Sequence, residues 1–114
     1  MLFRSGRPDP APSAGVQLEF IWDPAKAASN LTQHGPSFPQ AATVFADALA
    51  LTVFDAGHSN FEERWFTLGL ASSGKLLAVS HTYAATGSAS ARVRIISARE
   101  ATRSERRQYE DEPQ

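Results

Sequence analysis

The spacing of apolar residues changes from a strand period to a helix period near the start of the chain. Leu18, Phe20 and Trp22 recur at every second position, which predicts a strand that ends at Asp23. Apolar residues then recur at helical spacing, which predicts helices over about 24–34 and 38–46. The apolar faces of these two helices are predicted to be Ala27, Ala28 and Leu31 in the first, and Phe38, Ala41, Ala42 and Phe45 in the second.

Residues that are typical of helix caps stand at the ends of both predicted helices. Asp23 followed by Pro24 is typical of an N-cap and a first-turn proline. His34-Gly35 is typical of a last turn closed by a left-handed glycine, with His34 next to the negative end of the helix dipole. Ser37 and Gln40 have the spacing of a capping box, which predicts where the second helix starts.

Further along the chain the pattern predicts mostly strands. Thr102 and Glu105 form a second capping box, which predicts a final helix to about residue 109. Between the helical regions the predicted elements are a strand at 48–54, a polar loop at 55–60, a hairpin of 64–70 and 76–83, a Gly/Ser/Ala/Thr loop at 84–91, and a strand at 92–98. The order β-α-α-β-β-β-β-α predicts an α+β fold: a mostly antiparallel sheet, two N-terminal helices on one face and a short C-terminal helix.

Length and composition are those of one globular domain. The chain has 114 residues, 42% of them hydrophobic and 20% charged. Residues 1–15 contain three prolines, two glycines and two serines, which predicts a disordered leader before a domain at 16–114. No cysteine is present, which excludes a thiolate zinc site and fits a reducing cytoplasm. No apolar run approaches the roughly 20 residues that span a membrane.

Charge is distributed unevenly along the chain. Residues 16–63 contain one lysine and six acidic residues, whereas residues 92–107 contain six arginines and two glutamates. A basic face of this kind suits phosphates or an acidic partner. A solvated strand edge and a salt-bridged helix explain the same pattern, and the sequence leaves both interpretations open.

Two segments contain candidate catalytic or phosphate-binding residues. HSNFEERW (58–65) places His58, Glu62, Glu63 and Arg64 at a junction of loop and strand, where binding and catalytic residues are common. In RVRIISAR (92–99), alternation puts Arg92 and Arg94 on one face, and guanidinium groups bind phosphate oxygens in pairs. A structural alternative pairs these acids with the arginines. The three histidines lack metal-ligand spacing, and His81 inside a strand is as consistent with the core as with acid–base chemistry.

Three blocks of the sequence resemble the BrnT family of ribonuclease toxins. They are FIWDPAKAASNLTQHGPSFPQAATVFAD, HSNFEERWFTLG and RVRIISAREATRSERRQYE, in this order and spacing over about residues 19–110. BrnT proteins are the toxin halves of bacterial type II toxin–antitoxin pairs. The fold of this family is RelE-like, so the resemblance implies a RelE-like fold here.

The resemblance also implies a cytoplasmic endoribonuclease that needs no metal or other cofactor, cleaves RNA by attack of a 2′-hydroxyl, and inhibits translation and growth. The implied partner is a DNA-binding antitoxin of the BrnA type, and operator DNA is bound only through the complex. The positions that match the family predict a catalytic set and a substrate-binding set. The first is Arg64, Arg94, Glu62, Glu63 and His58; the second is Lys26, Arg92 and Arg99.

Two positions and one segment depart from the family pattern. Pro36 stands where an aliphatic residue is usual, and Ala48 stands where proline is frequent. The connection after Thr82 is longer than usual and lacks the usual charged turn, a role for which Arg92 is the substitute we expect. This departure keeps an alternative open: a member of the same fold that binds an antitoxin or nucleic acid without cleavage.

Overall fold

A computed structural model describes residues 15–111, which form an α+β unit. The predicted leader lies outside the described residues, apart from Gly15. The strands are β1 (Gln17–Ile21), β2 (Leu51–Phe54), β3 (Trp65–Leu70), β4 (Leu76–His81), β5 (Ala84–Gly87) and β6 (Ser90–Glu100). The helices are α1 (Pro24–Gln33), α2 (Phe38–Ala42) and α3 (Arg103–Asp111), with 3₁₀ turns at Thr43–Ala46 and Ala56–His58.

The six strands form one sheet in the order β1-β6-β4-β3-β2, with β5 also paired to β6. All pairs are antiparallel except β1 with β6, which is parallel. Strands β4 and β5 pair one after the other along β6, and the register of β4 on β6 shifts between Ser80 and His81. Between the two strands, Thr82 N donates to Arg94 O of β6 at 3.0 Å. The prediction of a mostly antiparallel sheet is confirmed.

One strand was missed and the start of another was misplaced. The predicted loop at 84–91 is largely the hairpin of β5 and β6, since Ala84 and Ala85 pair with Arg92 and Ala91 despite their loop-like composition. The strand predicted from residue 48 begins at Leu51. Asp47 explains this delay, because its carboxylate accepts from Leu49 N and its carbonyl accepts from Ala50 N, which closes a turn there.

The predicted caps are confirmed. Asp23 Oδ1 accepts from Ala25 N at 2.8 Å, and Ser37 Oγ accepts from Gln40 N at 3.1 Å. The Ser37 box is half complete, because the Gln40 side chain donates to Ser73 instead. Gly35 has φ of +100°, the left-handed conformation that the C-cap requires.

The sheet carries an apolar cluster on each face. Alternation along β4 sends Leu77 and Val79 to one face and Leu76 and Ala78 to the other. The larger cluster includes Phe38, Ala41, Val44, Phe45, Leu77, Val79, Val93 and Ile95, with Ala27 of α1 against it. The smaller cluster, Leu68, Leu76 and Ala78, is covered by Tyr109 of α3 and by Phe66 and Ala101. Helix α3 therefore covers part of the second face.

Helix α1 faces the sheet with a different set of residues from the predicted one. Ala28 and Leu31 are exposed, and the buried residue of this helix is Asn30. The prediction of Ala27, Ala28 and Leu31 as the buried face is therefore wrong for two of its three members. Asn30 is buried because its amide pairs with the edge of β6 beyond the last residue of β1.

Candidate active site

Two arginines from different parts of the sheet converge on one carboxylate. Arg94 lies in β6 and Arg64 directly precedes β3, so β4 separates the two strands. Arg94 Nη2 donates to Glu62 Oε1, and Arg64 Nη2 lies 3.8 Å from the same oxygen. The side chains are about two-fifths exposed for Arg94 and one-third for Arg64, so water and solutes reach them. Two guanidinium groups directed at one oxygen form an arrangement that suits an anion.

A cleft of about 270 Å³ lies at this point, where the N-terminal turn of α1 approaches β6. Its walls carry three cationic and two anionic side chains, together with apolar Ile95 and Ile96; the charged residues are Lys26, Arg64, Arg94, Asp23 and Glu62. Lys26 forms no ion pair within residues 15–111. The cleft therefore has a net positive lining, and one of its cations is not neutralised by a neighbour.

The loop between β2 and β3 is held closed by three hydrogen bonds. Asp55 N donates to Arg64 O at 2.8 Å, which extends the strand pairing by one step. Ser59 Oγ then bridges the two sides, since it donates to Asp55 O at 2.6 Å and accepts from Arg64 N at 3.0 Å. These bonds fix the base of the loop, and so they position Glu62 and His58 relative to Arg64.

His58 lies in this loop with Asp55 as its partner. His58 Nδ1 is 3.0 Å from Asp55 Oδ2 and 3.2 Å from Oδ1. Because a carboxylate only accepts hydrogen bonds, the neutral ring carries its proton on Nδ1, and Nε2 is left as a proton acceptor. His58 lines a second cleft of about 320 Å³, together with Asn60, Phe61, Glu62 and Arg64. Glu62 and Arg64 belong to both clefts, so the histidine and the arginine pair form one continuous site.

Three predicted site residues lie outside the linings of both clefts. Glu63 is exposed beside Glu62. Arg92 forms a cross-strand ion pair with Glu19 on β1, with Nε 2.7 Å from Oε1. Arg99 holds Glu105 with two hydrogen bonds of 2.7 and 2.9 Å, and its guanidinium carbon lies 5.8 Å from the centre of the Phe66 ring.

The Arg99–Glu105 pair fixes the start of α3. Hydrogen bonding to Arg99 lowers the pKa of Glu105 to about 2, against the opposing effect of burial, and Thr102 N–H contributes further. The same hydrogen bond raises the pKa of Arg99. Glu105 also completes the predicted capping box, since Thr102 N donates to Oε1 at 2.9 Å and Thr102 Oγ1 accepts from Glu105 N at 3.1 Å. In the structure, Arg99 is thus paired with Glu105, and the pair ties β6 to the start of α3.

The salt-bridged interpretation of the basic segment holds for four of its six arginines. Arg92, Arg94 and Arg99 on β6 all pair with acidic residues, as the salt-bridged interpretation requires. On α3, Arg106 lies 3.8 Å from Glu110, whereas Arg103 and Arg107 are exposed and form no ion pair within the described chain. The free positive charge of this segment is therefore concentrated on α3.

His81 belongs to the core. It is fully buried, its Nε2 is 2.7 Å from Thr67 Oγ1, and its Nδ1 donates to Thr82 O at 3.0 Å. Thr52 Oγ1 extends this chain at 3.0 Å from Thr67 Oγ1, and the Phe45 ring packs edge-on against the imidazole. Burial lowers the pKa of His81 to about 4. Of the two open alternatives, the structure selects the core histidine.

Two further observations bear on the kind of site. Between residues 15 and 111, no group of three or more His, Cys, Asp or Glu side chains is arranged to hold a metal ion. No helix in the same range is both long and apolar enough to cross a bilayer.

Sequence reasoning missed three residues of the site. Asp23 was identified only as a helix cap, yet it also lines the arginine cleft. Asp55 is the partner of His58, and its position three residues earlier in a polar loop was an available signal. Phe61, an apolar residue within that polar loop, is fully exposed at 102% of its reference accessible area and lines the histidine cleft.

The fold and the site define a small α+β protein with a cleft of net positive lining between the N-terminal turn of α1 and β6. Residues 22–105 match the family model described as the ribonuclease toxin BrnT of type II toxin–antitoxin systems. Since the match covers most of the chain, the protein belongs to the BrnT ribonuclease toxin family. Membership in a type II system implies an antitoxin partner.

A solved structure supports the fold. The chain resembles the crystal structure, at 1.1 Å resolution, of the Brucella abortus ribonuclease toxin BrnT, with 20% sequence identity and a TM-score of 0.50. The similarity covers 77% of this chain and 100% of that one. Among proteins with curated descriptions, none matches.

Proposed function

We propose that this protein is a metal-independent endoribonuclease toxin that cleaves RNA by attack of a 2′-hydroxyl on the adjacent phosphate. The observation that carries the proposal is the convergence of Arg64 and Arg94 on one carboxylate oxygen of Glu62. In the reaction a scissile phosphate takes the place of that carboxylate. The products of such a cleavage are a 2′,3′-cyclic phosphate and a 5′-hydroxyl end.

Arg64 and Arg94 neutralise the charge that develops on the non-bridging phosphate oxygens in the transition state. Arg64 is suited to this role because its side chain is about one-third exposed and its Nη2 lies 3.8 Å from Glu62 Oε1, which is longer than a hydrogen bond, so this end of the guanidinium can take a phosphate oxygen. Lys26 adds a third positive charge at the helix end of the same cleft. Arg92 and Arg99 stay secondary candidates for RNA contacts, since each already has an acidic partner.

His58 is the best-placed residue to take the proton of the attacking 2′-hydroxyl. Asp55 occupies Nδ1 and leaves Nε2 free, as in other histidines that are oriented by a carboxylate. Glu62 holds both guanidinium groups in position before RNA binds, and it leaves the site when phosphate enters. Glu63 is the remaining candidate for proton transfer, although it lies outside both clefts.

The partner we propose is a DNA-binding antitoxin of the BrnA type, which carries the complex to operator DNA. An acidic antitoxin segment would complement the exposed arginines of α3, Arg103 and Arg107. With it we propose a RelE-like arrangement, in which α1 and α2 share one face of the sheet, and a cytoplasmic site of action where cleaved RNA stops translation and growth.

A second candidate function is antitoxin or nucleic-acid binding without cleavage. One observation favours it: residues 83–91 contain no charged side chain, and Arg92, the expected substitute, is held by Glu19. The two functions are separated by incubating purified protein with RNA in the presence of EDTA. Cleavage to 5′-hydroxyl fragments supports the toxin, whereas binding without cleavage, together with normal growth on induced expression, supports the alternative.

A further inference from the structure

Phe61 is far more exposed than any other large hydrophobic residue of the described chain. The other exposed large hydrophobic residues of the described chain are 40–52% exposed, whereas Phe61 is at 102%. A phenylalanine ring held fully in water gives the folded chain no burial energy. Phe61 lies in a closed loop, because Ser59 and Arg64 on either side of it are joined by a hydrogen bond of 3.0 Å.

The surroundings of Phe61 are polar, and the cleft next to them has a net positive lining. It lines the histidine cleft with Gly57, His58, Asn60, Glu62 and Arg64, and none of these is an apolar side chain. The next residue along the chain, Glu62, is the one that contacts both arginines of the site. Adjacent residues have Cα atoms about 3.8 Å apart, so the ring is anchored beside the position where the phosphate is expected.

We propose that Phe61 is a stacking platform for an unpaired RNA base next to the scissile phosphate. An exposed aromatic ring beside a cationic groove is the combination that single-stranded nucleic acid binds, since the groove follows the backbone and the ring takes a base. The substrate is then single-stranded RNA with a base turned out towards Phe61. Because every base has a face that stacks, Phe61 supplies affinity and position rather than base identity.

A protein partner is a weaker explanation for the same ring. Aromatic anchors of protein interfaces lie within well-packed apolar patches, from which water is excluded on binding. The other exposed apolar residues, Ile21, Leu31, Leu49 and Leu70, are outside the lining of this cleft. Phe61 is an isolated aromatic among charged and polar groups, which fits a nucleotide better than an apolar protein surface.

This inference rests on the proposed function, and one experiment separates the two. The probe is a fluorescently labelled single-stranded RNA with 2′-O-methyl groups throughout, which cannot be cleaved, and its binding is followed by anisotropy. Phe61→Ala is expected to weaken binding about 5- to 100-fold, and Phe61→Trp to restore it. The matched control is Leu49→Ala, which removes an exposed apolar side chain away from the cleft and leaves affinity unchanged.

Two further arms make the result specific. A single abasic nucleotide, moved along the probe, is expected to weaken binding of the unmodified protein at one position and to have no effect on Phe61→Ala at that position. The same strand in a duplex binds less tightly to the unmodified protein. The dependence of binding on salt stays the same in Phe61→Ala, because no phosphate contact is lost.

Three outcomes overturn the inference. If Phe61→Ala binds the probe and cleaves RNA like the unmodified protein, while Arg64→Ala does not cleave, the toxin function stands and the stacking role is wrong. If Phe61→Ala keeps full RNA affinity but loses the antitoxin, the ring belongs to the protein interface. If the unmodified protein neither binds the probe nor cleaves ordinary RNA, the proposed function fails and the inference fails with it.

Discussion

Asn30 pairs with the backbone of Ala98 as a neighbouring strand would. Its Nδ2 donates to Ala98 O at 2.8 Å, and its Oδ1 accepts from Ala98 N at 3.1 Å. The same amide donates to Pro36 O at 2.9 Å. Since β1 pairs with β6 only up to Arg94, Asn30 satisfies the edge of β6 where no strand continues, and it ties α1 to the strand that carries Arg94.

Replacing Asn30 should therefore be costly. Asn30→Ala leaves the N–H and carbonyl of Ala98 and the carbonyl of Pro36 without this partner in a buried setting, which we expect to lower the free energy of unfolding by about 2–4 kcal/mol. The control is Leu31→Ala at the next position, which is half exposed and should change stability by less than about 0.5 kcal/mol. Equal denaturation midpoints for the two variants would show that the amide does not support the edge.

The parts of the fold that depend on neighbouring residues were predictable from the sequence. The caps at Asp23, Ser37 and Thr102 each need only a side chain and a backbone N–H two or three residues away. The hairpin of β3 and β4 has the same local character, with a short turn closed by Gly74. Such features depend on cap and turn residues that act on nearby positions of the chain, so they can be predicted from a single sequence.

The features that were missed depend on distant residues. Strand β5 has the composition of a loop, and it becomes a strand because β6 offers pairing partners. The burial of Asn30 requires the parallel pairing of β1 and β6, a topology that helix periodicity does not reveal. At the site, Arg64 was predicted at a junction of loop and strand and Arg94 on one face of a strand, but their common contact with Glu62 depends on the closed loop before β3.

His81 should make stability depend on pH in a defined window. Its pKa is about 4 in the folded protein and has the ordinary value of 6.5 when unfolded, so the unfolded chain binds more protons between these values. The contribution of His81 to the free energy of unfolding is fully present above pH 6.5. It decreases by about 3 kcal/mol in total as the pH falls to 4.

Unfolding by denaturant at pH 7, 6 and 5 measures this effect. Glu105 and Asp47 also have lowered pKa values, but their ordinary values of 4.5 and 3.8 place their contribution at lower pH. The decrease between pH 6.5 and 5 should disappear in His81→Gln and persist in His58→Gln, which changes an exposed ring. A persistent decrease in His81→Gln would assign it to another group.

Glu105 should be the main attachment of the start of α3. Glu105→Ala removes both hydrogen bonds to Arg99 and half of the capping box, and we expect a loss of about 1–2 kcal/mol for this partly exposed group. Glu110→Ala is the control, because its contact with Arg106 at 3.8 Å is exposed on both sides. Thermal melts of the two variants that coincide would contradict this role.

The exposed arginines of α3 should contribute to antitoxin binding. Reversing both charges, as Arg103→Glu with Arg107→Glu, is expected to weaken the complex at least 10-fold, mainly through slower association at low salt. Lys75→Glu, which reverses one charge outside this helix, is the control for each single reversal, Arg103→Glu and Arg107→Glu. Surface-bound antitoxin and a salt series give the measurement, and an affinity equal to that of the control would place the antitoxin elsewhere.

The most direct test of the account is the rate of RNA cleavage in Arg64→Ala and Arg94→Ala, with a thermal melt of each variant. Loss of one positioned guanidinium is expected to slow cleavage about 30- to 1,000-fold, or 2–4 kcal/mol, with the melting temperature close to that of the unmodified protein. Lysine at either position keeps the charge without the fork and should restore part of the rate. Arg106→Ala, on the exposed face of α3, should cleave normally. Full cleavage by both well-folded alanine variants would contradict the claim that Arg64 and Arg94 hold the scissile phosphate.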